Sequence, residues 1–181
     1  MRRVFFGLEI PAQIKERLLK VNTEVASAQW HSAEQLHLTL LFLGCVEDEQ
    51  LLAVREVARD SALAAFELSI AGLGCFGPPH APKHLWAGVA PEAPVKRLHC
   101  ALKSQVETLG MQTERRAYCP HLTLARFKHE PGSVEHLLAD YRETVFGAFL
   151  VEQFVLFESQ QSANGSRYTV IERYPLSRFA V

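Results

Sequence analysis

The sequence predicts an α/β (α+β) protein of two similar halves around a central cleft. The tetrapeptide His-Leu-Thr-Leu occurs at residues 37–40 and again at residues 121–124, and strand-like and helix-like segments alternate through both halves. Random placement of eight His and seven Thr predicts roughly 0.3 His-x-Thr triplets in 181 residues, so two matching copies indicate an internal duplication. We therefore expect a bilobal fold of duplicated βαβαβ halves with pseudo-two-fold symmetry.

The first half begins with RVFFGLE, whose aromatic and aliphatic residues are typical of a strand. Pro11 follows and suits the first turn of a helix, because its fixed φ is helical and it needs no amide hydrogen there. The segment 48–66 begins with Asp48 and Glu49, and acidic residues at the start of a helix are favoured by the positive end of its dipole. This segment is therefore predicted to be a helix. The predicted elements are strands over 3–9, 37–44 and 66–76, and helices over 14–28 and 48–66.

The second half repeats this order after the Pro- and Gly-rich segment GPPHAPK, residues 77–83. We take this segment as the connection between lobes at about 1–76 and 84–181 of a single domain, 1–181. The segment QSANGSR, residues 161–167, predicts a turn between the last two strands. The predicted elements are strands over 84–90, 121–127, 149–159 and 167–176, and helices over 94–110 and 133–143.

Composition limits the classes of function. The net charge of −1 argues against a protein that holds long nucleic-acid duplexes by counterion release. The four cysteines contain no C-x-x-C pair, which argues against a zinc ribbon, and we expect them to be mostly buried thiols. The longest apolar stretches are about nine residues, too short to span a bilayer. We therefore expect a soluble cytoplasmic protein, and a monomer, that does not enter a membrane.

Each His-Leu-Thr-Leu copy can present its polar side chains on one face of a strand. Because successive side chains alternate, His37 and Thr39 point one way while the leucines point the other, and the same holds for His121 and Thr123. A pseudo-two-fold axis would place both His-Thr pairs around one substrate. Two imidazoles with pKa values near neutrality suit general acid and base catalysis, and each Thr hydroxyl can donate a hydrogen bond to an anionic oxygen.

These histidines also have interpretations other than acid-base catalysis. A single His-x-Thr on an apolar strand is usually a structural histidine with its hydrogen bonds satisfied, but two in matching contexts favour function. A metal site is not favoured, since Thr is a poor zinc ligand and no H-E-x-x-H motif is present. There is also no G-x-S-x-G nucleophile motif. A noncatalytic module that binds nucleotides or RNA ends in the same cleft stays open.

The segments HLTLLFLG and PHLTLARF, with Trp30 and Glu34 ahead of the first, closely resemble the two signatures of the 2H phosphoesterases. Within that superfamily the chain resembles the RNA 2',3'-cyclic phosphodiesterase branch, also called LigT-like or 2'-5' RNA ligase. The resemblance implies hydrolysis of a terminal 2',3'-cyclic phosphate to a 2'-phosphomonoester, and in some members reversible 2'-5' ligation. It implies no metal and no cofactor.

The resemblance also assigns roles to residues and partners to the protein. His37 would be the proton donor to the leaving 3' oxygen, and His121 the proton acceptor that activates water. Thr39 and Thr123 would bind the phosphate. Expected partners are RNA ends with a 2',3'-cyclic phosphate, including tRNA halves, or small cyclic nucleotides.

Three further residues are candidates for substrate binding. Arg126 occupies the position where this branch commonly carries an arginine near the phosphate. Strand alternation places residues 121, 123 and 125 on one face, so Arg126 reaches the cleft only if the strand ends or twists there. Phe6 and Phe42 could stack on a nucleobase, although a core position is the common alternative for each.

Overall fold

The structure of the protein, a computed structural model, describes residues 1–61 and 63–178. Nine strands and four α-helices alternate along this part of the chain, with one 3-10 turn at Ala33–Gln35. In chain order they are β1 (Arg2–Glu9), α1 (Ala12–Leu19), β2 (Ala28–Trp30), β3 (His37–Val46), α2 (Asp48–Arg59), β4 (Phe66–Phe76), β5 (His84–Ala90), α3 (Glu92–Glu107), β6 (Leu122–Phe127), α4 (Glu135–Asp140), β7 (Val145–Val151), β8 (Gln153–Ser162) and β9 (Gly165–Pro175).

The strands form two sheets. One has four strands in the order β3-β1-β8-β9, and the other has five in the order β2-β6-β5-β4-β7. All of the neighbouring strands in both sheets pair antiparallel. β3 and β6, which carry the two motifs, contact each other where the sheets meet. This contact positions the repeated residues around a shared space.

The α/β class and the alternation of strands and helices are confirmed. The expected lobes of residues 1–76 and 84–181 do not describe how the strands pair. β4 joins the sheet of β5 and β6, whereas β8 and β9 join the sheet of β1 and β3. Segment 77–83 connects β4 to β5, which are antiparallel neighbours, because so short a loop favours pairing of the strands it joins. The two halves of the sequence therefore exchange strands.

Several element boundaries also differ from expectation. The single strand predicted over 149–159 is divided at Glu152, because β7 pairs with β4 in one sheet and β8 pairs with β1 in the other. The first helix ends at Leu19 rather than at residue 28, and the chain then forms turns before β2, which was not predicted. The turn predicted within 161–167 is confirmed, since β8 and β9 are joined by a hairpin there.

The core is formed by the apolar faces of the sheets and the helices that cover them. Val4, Phe6 and Leu8 of β1 are fully buried, and α3 packs on β3 while α1 packs on β7. The expectation that the cysteines are mostly buried is wrong. Three of the four are exposed and Cys75 is half-buried, because Cys45 and Cys100 lie on exposed positions of β3 and α3 and Cys119 lies in the loop before β6. None of the helices described by the structure is long and apolar enough to cross a membrane.

Candidate active site

A cavity of about 590 Å³ lies where β3 meets β6, and both motifs line it. A volume of this order suits a nucleotide-sized ligand. Its walls come from both sheets and from the loop between α3 and β6. The residues used below that line it are His31, His37, Thr39, Leu40, Leu41, Phe42, Phe76, Lys83, His84, His99, Glu114, Arg116, Tyr118, Cys119, His121, Thr123, Arg126 and Tyr168.

His37 is held by hydrogen bonds at both ring nitrogens. Its Nδ1 lies 2.7 Å from the carbonyl oxygen of Gln35, and because a carbonyl can only accept, Nδ1 carries a hydrogen. Its Nε2 lies 2.9 Å from Thr39 Oγ1. In the neutral ring Nε2 therefore accepts the Thr39 hydroxyl hydrogen. Gln35 is itself fixed by a capping box with Ser32 in the 3-10 turn before β3.

His121 is held in the same way in the second motif. Its Nδ1 lies 2.7 Å from the carbonyl oxygen of Cys119, which is again two residues earlier in the chain. Nδ1 therefore donates here too, and Nε2 is the ring nitrogen left for proton transfer. Thr123 does not bond to the His121 ring among the described residues, so the Thr39 contact has no counterpart in the second motif.

Both motif strands contain a bulge at the same motif position. In β3, Phe6 pairs with Leu41 and Gly7 with Thr39, which leaves Leu40 as an extra residue. In β6, Leu85 pairs with Ala125 and Trp86 with Thr123, which leaves Leu124 as the extra residue. Each bulge reverses the alternation of side chains beyond it.

The bulges explain how the next side chain reaches the cavity. At each bulge two successive side chains face the core instead of one. They are Leu40 and Leu41 in β3, and Leu124 and Ala125 in β6, and all four are buried. The following residue, Phe42 in β3 and Arg126 in β6, then joins the face of the His and Thr residues and lines the cavity. The condition that the strand must twist for Arg126 to enter the cleft is met by this bulge.

Burial lowers the pKa of both motif histidines. The pKa of His37 falls to about 4, mainly because its ring is buried, with the Gln35 carbonyl acting in the opposite direction. The rings of Phe5 and Tyr168 pack against it with centroid distances of 4.9 Å and 4.7 Å. Burial likewise lowers the pKa of His121, which packs edge-on to Phe76 at 4.8 Å. Both rings therefore favour the neutral form in the free protein.

The cavity wall has more basic than acidic side chains. Arg126, Lys83 and Arg116 line it, whereas Glu114 is the one carboxylate among its described lining residues. Arg126 lies opposite His84 across β5 and β6 and, after burial, contributes to lowering the pKa of His84. Burial and then Arg126 lower the pKa of His31 to about 4. This electrostatic environment favours an anionic ligand.

The structure brings six of the seven candidate site residues to this cavity: His37, Thr39, Phe42, His121, Thr123 and Arg126. The prediction that Phe6 could stack on a base is wrong. Phe6 is 0% exposed and packs against Phe154 and Tyr174 in the core. Strand alternation directs its neighbour Phe5 toward His37 instead.

Several lining residues were not found from the sequence. His31, His84 and His99 stand in no repeated motif of the sequence, yet all three line the cavity. Tyr118 and Tyr168 lie in a loop and in the last strand, far from the motifs in sequence. The consecutive apolar residues after each His-Leu-Thr were the one local signal for the bulges.

No group of three or more His, Cys, Asp or Glu side chains within residues 1–61 and 63–178 is arranged to hold a metal ion. The absence of a metal from the reaction stays a prediction. Three of the histidines that line the cavity already bond to backbone carbonyls through Nδ1: His37, His121 and His99.

Comparison with known proteins gives a consistent assignment. The family model described as the 2'-5' RNA ligase superfamily matches residues 10–163. A protein of Archaeoglobus fulgidus named RNA 2',3'-cyclic phosphodiesterase is 30% identical over 169 residues, which cover 92% of this chain and 96% of that protein. One of the same name from Escherichia coli is 26% identical and is covered over 98% of both chains.

Solved structures agree with the sequence comparisons. The crystal structure of E. coli LigT in apo form superposes with a TM-score of 0.78 at 26% identity, covering 97% of this chain and 98% of that one. The same protein complexed with 3'-AMP gives the same TM-score, identity and coverage. The resemblance drawn from the two His-x-Thr motifs is confirmed, and the chain belongs to the 2'-5' RNA ligase superfamily.

Proposed function

We propose that this protein is an RNA 2',3'-cyclic phosphodiesterase that opens a terminal cyclic phosphate to a 2'-phosphomonoester. The observation that carries the proposal is the matched tethering of two imidazoles in one cavity. Each Nδ1 donates to the carbonyl two residues earlier, at 2.7 Å, so proton transfer falls to the two Nε2 atoms, of which that of His37 bonds to Thr39 Oγ1 in the free protein. The names of the relatives and the 3'-AMP complex of LigT support a nucleotide substrate.

In the proposed reaction His121 Nε2 takes a proton from water as the water oxygen attacks phosphorus. The bond from phosphorus to the 3' oxygen breaks, and His37 Nε2 gives its proton to that oxygen. The product is a 2'-phosphomonoester with a free 3' hydroxyl. Proton exchange with solvent then restores both rings. An RNA 5' hydroxyl in place of water would give a 2'-5' linkage by the same steps, and the reverse reaction would cleave it.

His37 must carry a proton to act as the acid, although its pKa in the free protein is about 4. A bound phosphate supplies the missing stabilisation, because a nearby negative charge favours the imidazolium form. Arg126 and the hydroxyls of Thr39 and Thr123 would then hold the phosphoryl oxygens as charge develops. Proton donation is in this way coupled to occupation of the cavity.

The test uses an oligonucleotide that ends in a 2',3'-cyclic phosphate, incubated with the protein in EDTA. We expect a 2'-phosphate product, and we expect His37→Ala and His121→Ala each to lower the rate roughly 10²–10⁴-fold, the usual effect of losing a positioned proton-transfer group. His136→Ala is the matched control, because His136 is an exposed histidine of α4 that does not line the cavity.

Three outcomes would contradict the proposal. A 3'-phosphate product would mean that the 2' oxygen, and not the 3' oxygen, is the leaving group. Activity that is lost in EDTA and restored by a metal would mean that the reaction depends on a metal ion. Binding of the oligonucleotide without turnover would favour the noncatalytic RNA-end module. The same assay with a 2',3'-cyclic mononucleotide separates the substrate classes, since a small-nucleotide enzyme would show no gain in kcat/KM from the longer chain.

A further inference from the structure

Two side chains, one from α3 and one from the loop between α3 and β6, contact the first motif in β3. Tyr118 donates its hydroxyl hydrogen to the carbonyl oxygen of Thr39 over 2.6 Å. His99 of α3 lies 2.6 Å from the carbonyl oxygen of Leu40 through its Nδ1, which therefore donates. The two rings stack with centroids 4.0 Å apart and an interplanar angle of 9°. Two side chains thus bind consecutive carbonyls of β3 as one unit.

These contacts coincide with the bulge in β3. Successive carbonyls of a regular strand point to opposite edges, so one stacked pair could not reach both. Leu40 is the extra residue of the bulge, and its carbonyl and that of Thr39 turn toward the same side. β3 is also an edge strand, with no strand beyond it in its sheet. Tyr118 and His99 supply the donors that a neighbouring strand would otherwise provide.

The same loop segment also reaches the second motif. Cys119, the residue after Tyr118, accepts the hydrogen bond from His121 Nδ1. Tyr118 therefore holds the backbone of Thr39, whose hydroxyl bonds to His37, while Cys119 holds His121. Two consecutive residues, Tyr118 and Cys119, therefore contact the groups that hold His37 and His121 in place.

We propose that Tyr118 and His99 are positioning residues that hold the β3 bulge and fix the first motif relative to His121. The proposal rests on the proposed function for its catalytic consequence, but its structural consequence can be measured separately. If the bulge loosens, Thr39 no longer keeps His37 in place, and the two proton-transfer atoms lose their alignment. The cost then falls on turnover rather than on binding, because neither donor is assigned a contact with the phosphate.

The test uses variants that separate the hydrogen bonds from the stacking. Tyr118→Phe removes the hydroxyl alone. His99→Phe keeps the stacked ring but removes the donor, whereas His99→Asn keeps a donor at the position of Nδ1 and loses the ring. Tyr141→Phe is the matched control, since Tyr141 stacks on Phe146 at 5.9 Å and does not line the cavity. Circular dichroism checks that each variant is folded.

We expect Tyr118→Phe and His99→Phe each to lower kcat about tenfold with little change in KM, the effect of losing one hydrogen bond. His99→Asn should retain more of the wild-type kcat than His99→Phe. A raised KM with unchanged kcat would overturn the proposal, because it would make these residues direct ligands of the substrate. An equal loss in Tyr141→Phe would overturn it too.

Nuclear magnetic resonance titration of the histidine rings gives a readout that needs no turnover. In Tyr118→Phe and His99→Phe the pKa of His37 should rise from about 4 toward its ordinary value, because a loosened strand admits water to the ring. An unchanged His37 titration in both variants would reject the positioning role. If the wild-type protein fails to open a cyclic phosphate, the proposed function fails while this titration still decides the present inference.

Discussion

The pH dependence of the rate offers the sharpest test of the roles proposed for the two histidines. His37 has a pKa of about 4 in the free protein, compared with a reference value of 6.5. At pH 7 about one free molecule in a thousand would carry the proton on His37, compared with about one in four at the reference pKa. The difference corresponds to about 3 kcal/mol against the acid form. His121, also with a lowered pKa, is ready as the neutral base.

Two kinetic parameters should therefore respond differently to pH. The value of kcat/KM reports the free enzyme. Above about pH 6.5 both histidines are past their lowered pKa values, so kcat/KM should fall about tenfold per pH unit with the protonated fraction of His37. The value of kcat reports the substrate complex, in which the phosphate charge raises the pKa of His37. Its alkaline limb should lie at higher pH. Steady-state hydrolysis of a 2',3'-cyclic mononucleotide from about pH 4 to pH 9 measures both.

A common alkaline limb for kcat and kcat/KM would refute this reasoning, as would a kcat/KM that is flat above neutrality with chemistry rate-limiting. Either result would mean that His37 is not the group that must gain a proton on binding. His136→Ala should reproduce the wild-type profiles, because His136 is exposed and does not line the cavity. Titration of His37 by nuclear magnetic resonance with inorganic phosphate assigns the limb directly.

Three more predictions follow from the same contacts. Thr39→Val and Thr123→Val should each lower kcat roughly tenfold to a hundredfold through loss of a hydrogen bond to a charged oxygen, with little change in Tm; normal rates in both would exclude contact with the phosphate. Phe6→Ala should lower the free energy of unfolding by about 3–5 kcal/mol, because Phe6 is fully buried. Phe42→Ala, at a side chain 40% exposed, should lower it much less and should raise KM. Denaturant unfolding and steady-state kinetics measure the two effects, and equal losses of stability would contradict the assignment. The pKa of His37 is lower in the folded than in the unfolded protein, so its contribution to stability is present above about pH 6.5 and is lost as pH falls toward 4. The free energy of unfolding of His37→Asn should therefore decrease less steeply with acidification. A decrease identical to that of the wild type would contradict the burial argument.

The part of the site predicted from the sequence is the part set by local alternation. His37 and Thr39, and His121 and Thr123, line the cavity because two residues along a strand return a side chain to the same face. The prediction that Phe6 faces the cleft is wrong because alternation alone does not say which face of β1 is inward. Both of its neighbours are buried as well, so the periodic signal was missing there.

The parts that local sequence could not predict depend on pairing between distant segments. β4 leaves the first half to pair with β5, and β8 leaves the second half to pair with β1. Nothing in either strand's own residues selects a partner, since both are apolar and strand-forming. The supports supplied by Tyr118 and His99 depend on the same long-range packing, and each appears in the sequence as an ordinary aromatic or histidine in a loop or helix.

The two bulges give the two repeats different side chains at the same place in the cavity, which suits an asymmetric substrate. Each places the sixth residue of its motif in the cavity, and that residue is Phe42 in the first copy and Arg126 in the second. A cyclic nucleotide end has an anionic phosphate and an apolar base face. The guanidinium of Arg126 is complementary to the phosphate, and the ring of Phe42 is complementary to the base. Arg126 belongs to the same motif as His121, the proposed base, and Phe42 to the same motif as His37, the proposed acid. On the proposed mechanism, the repeated backbone provides the two histidine rings for proton transfer, and the one position at which Phe42 and Arg126 differ sets the direction in which the substrate binds.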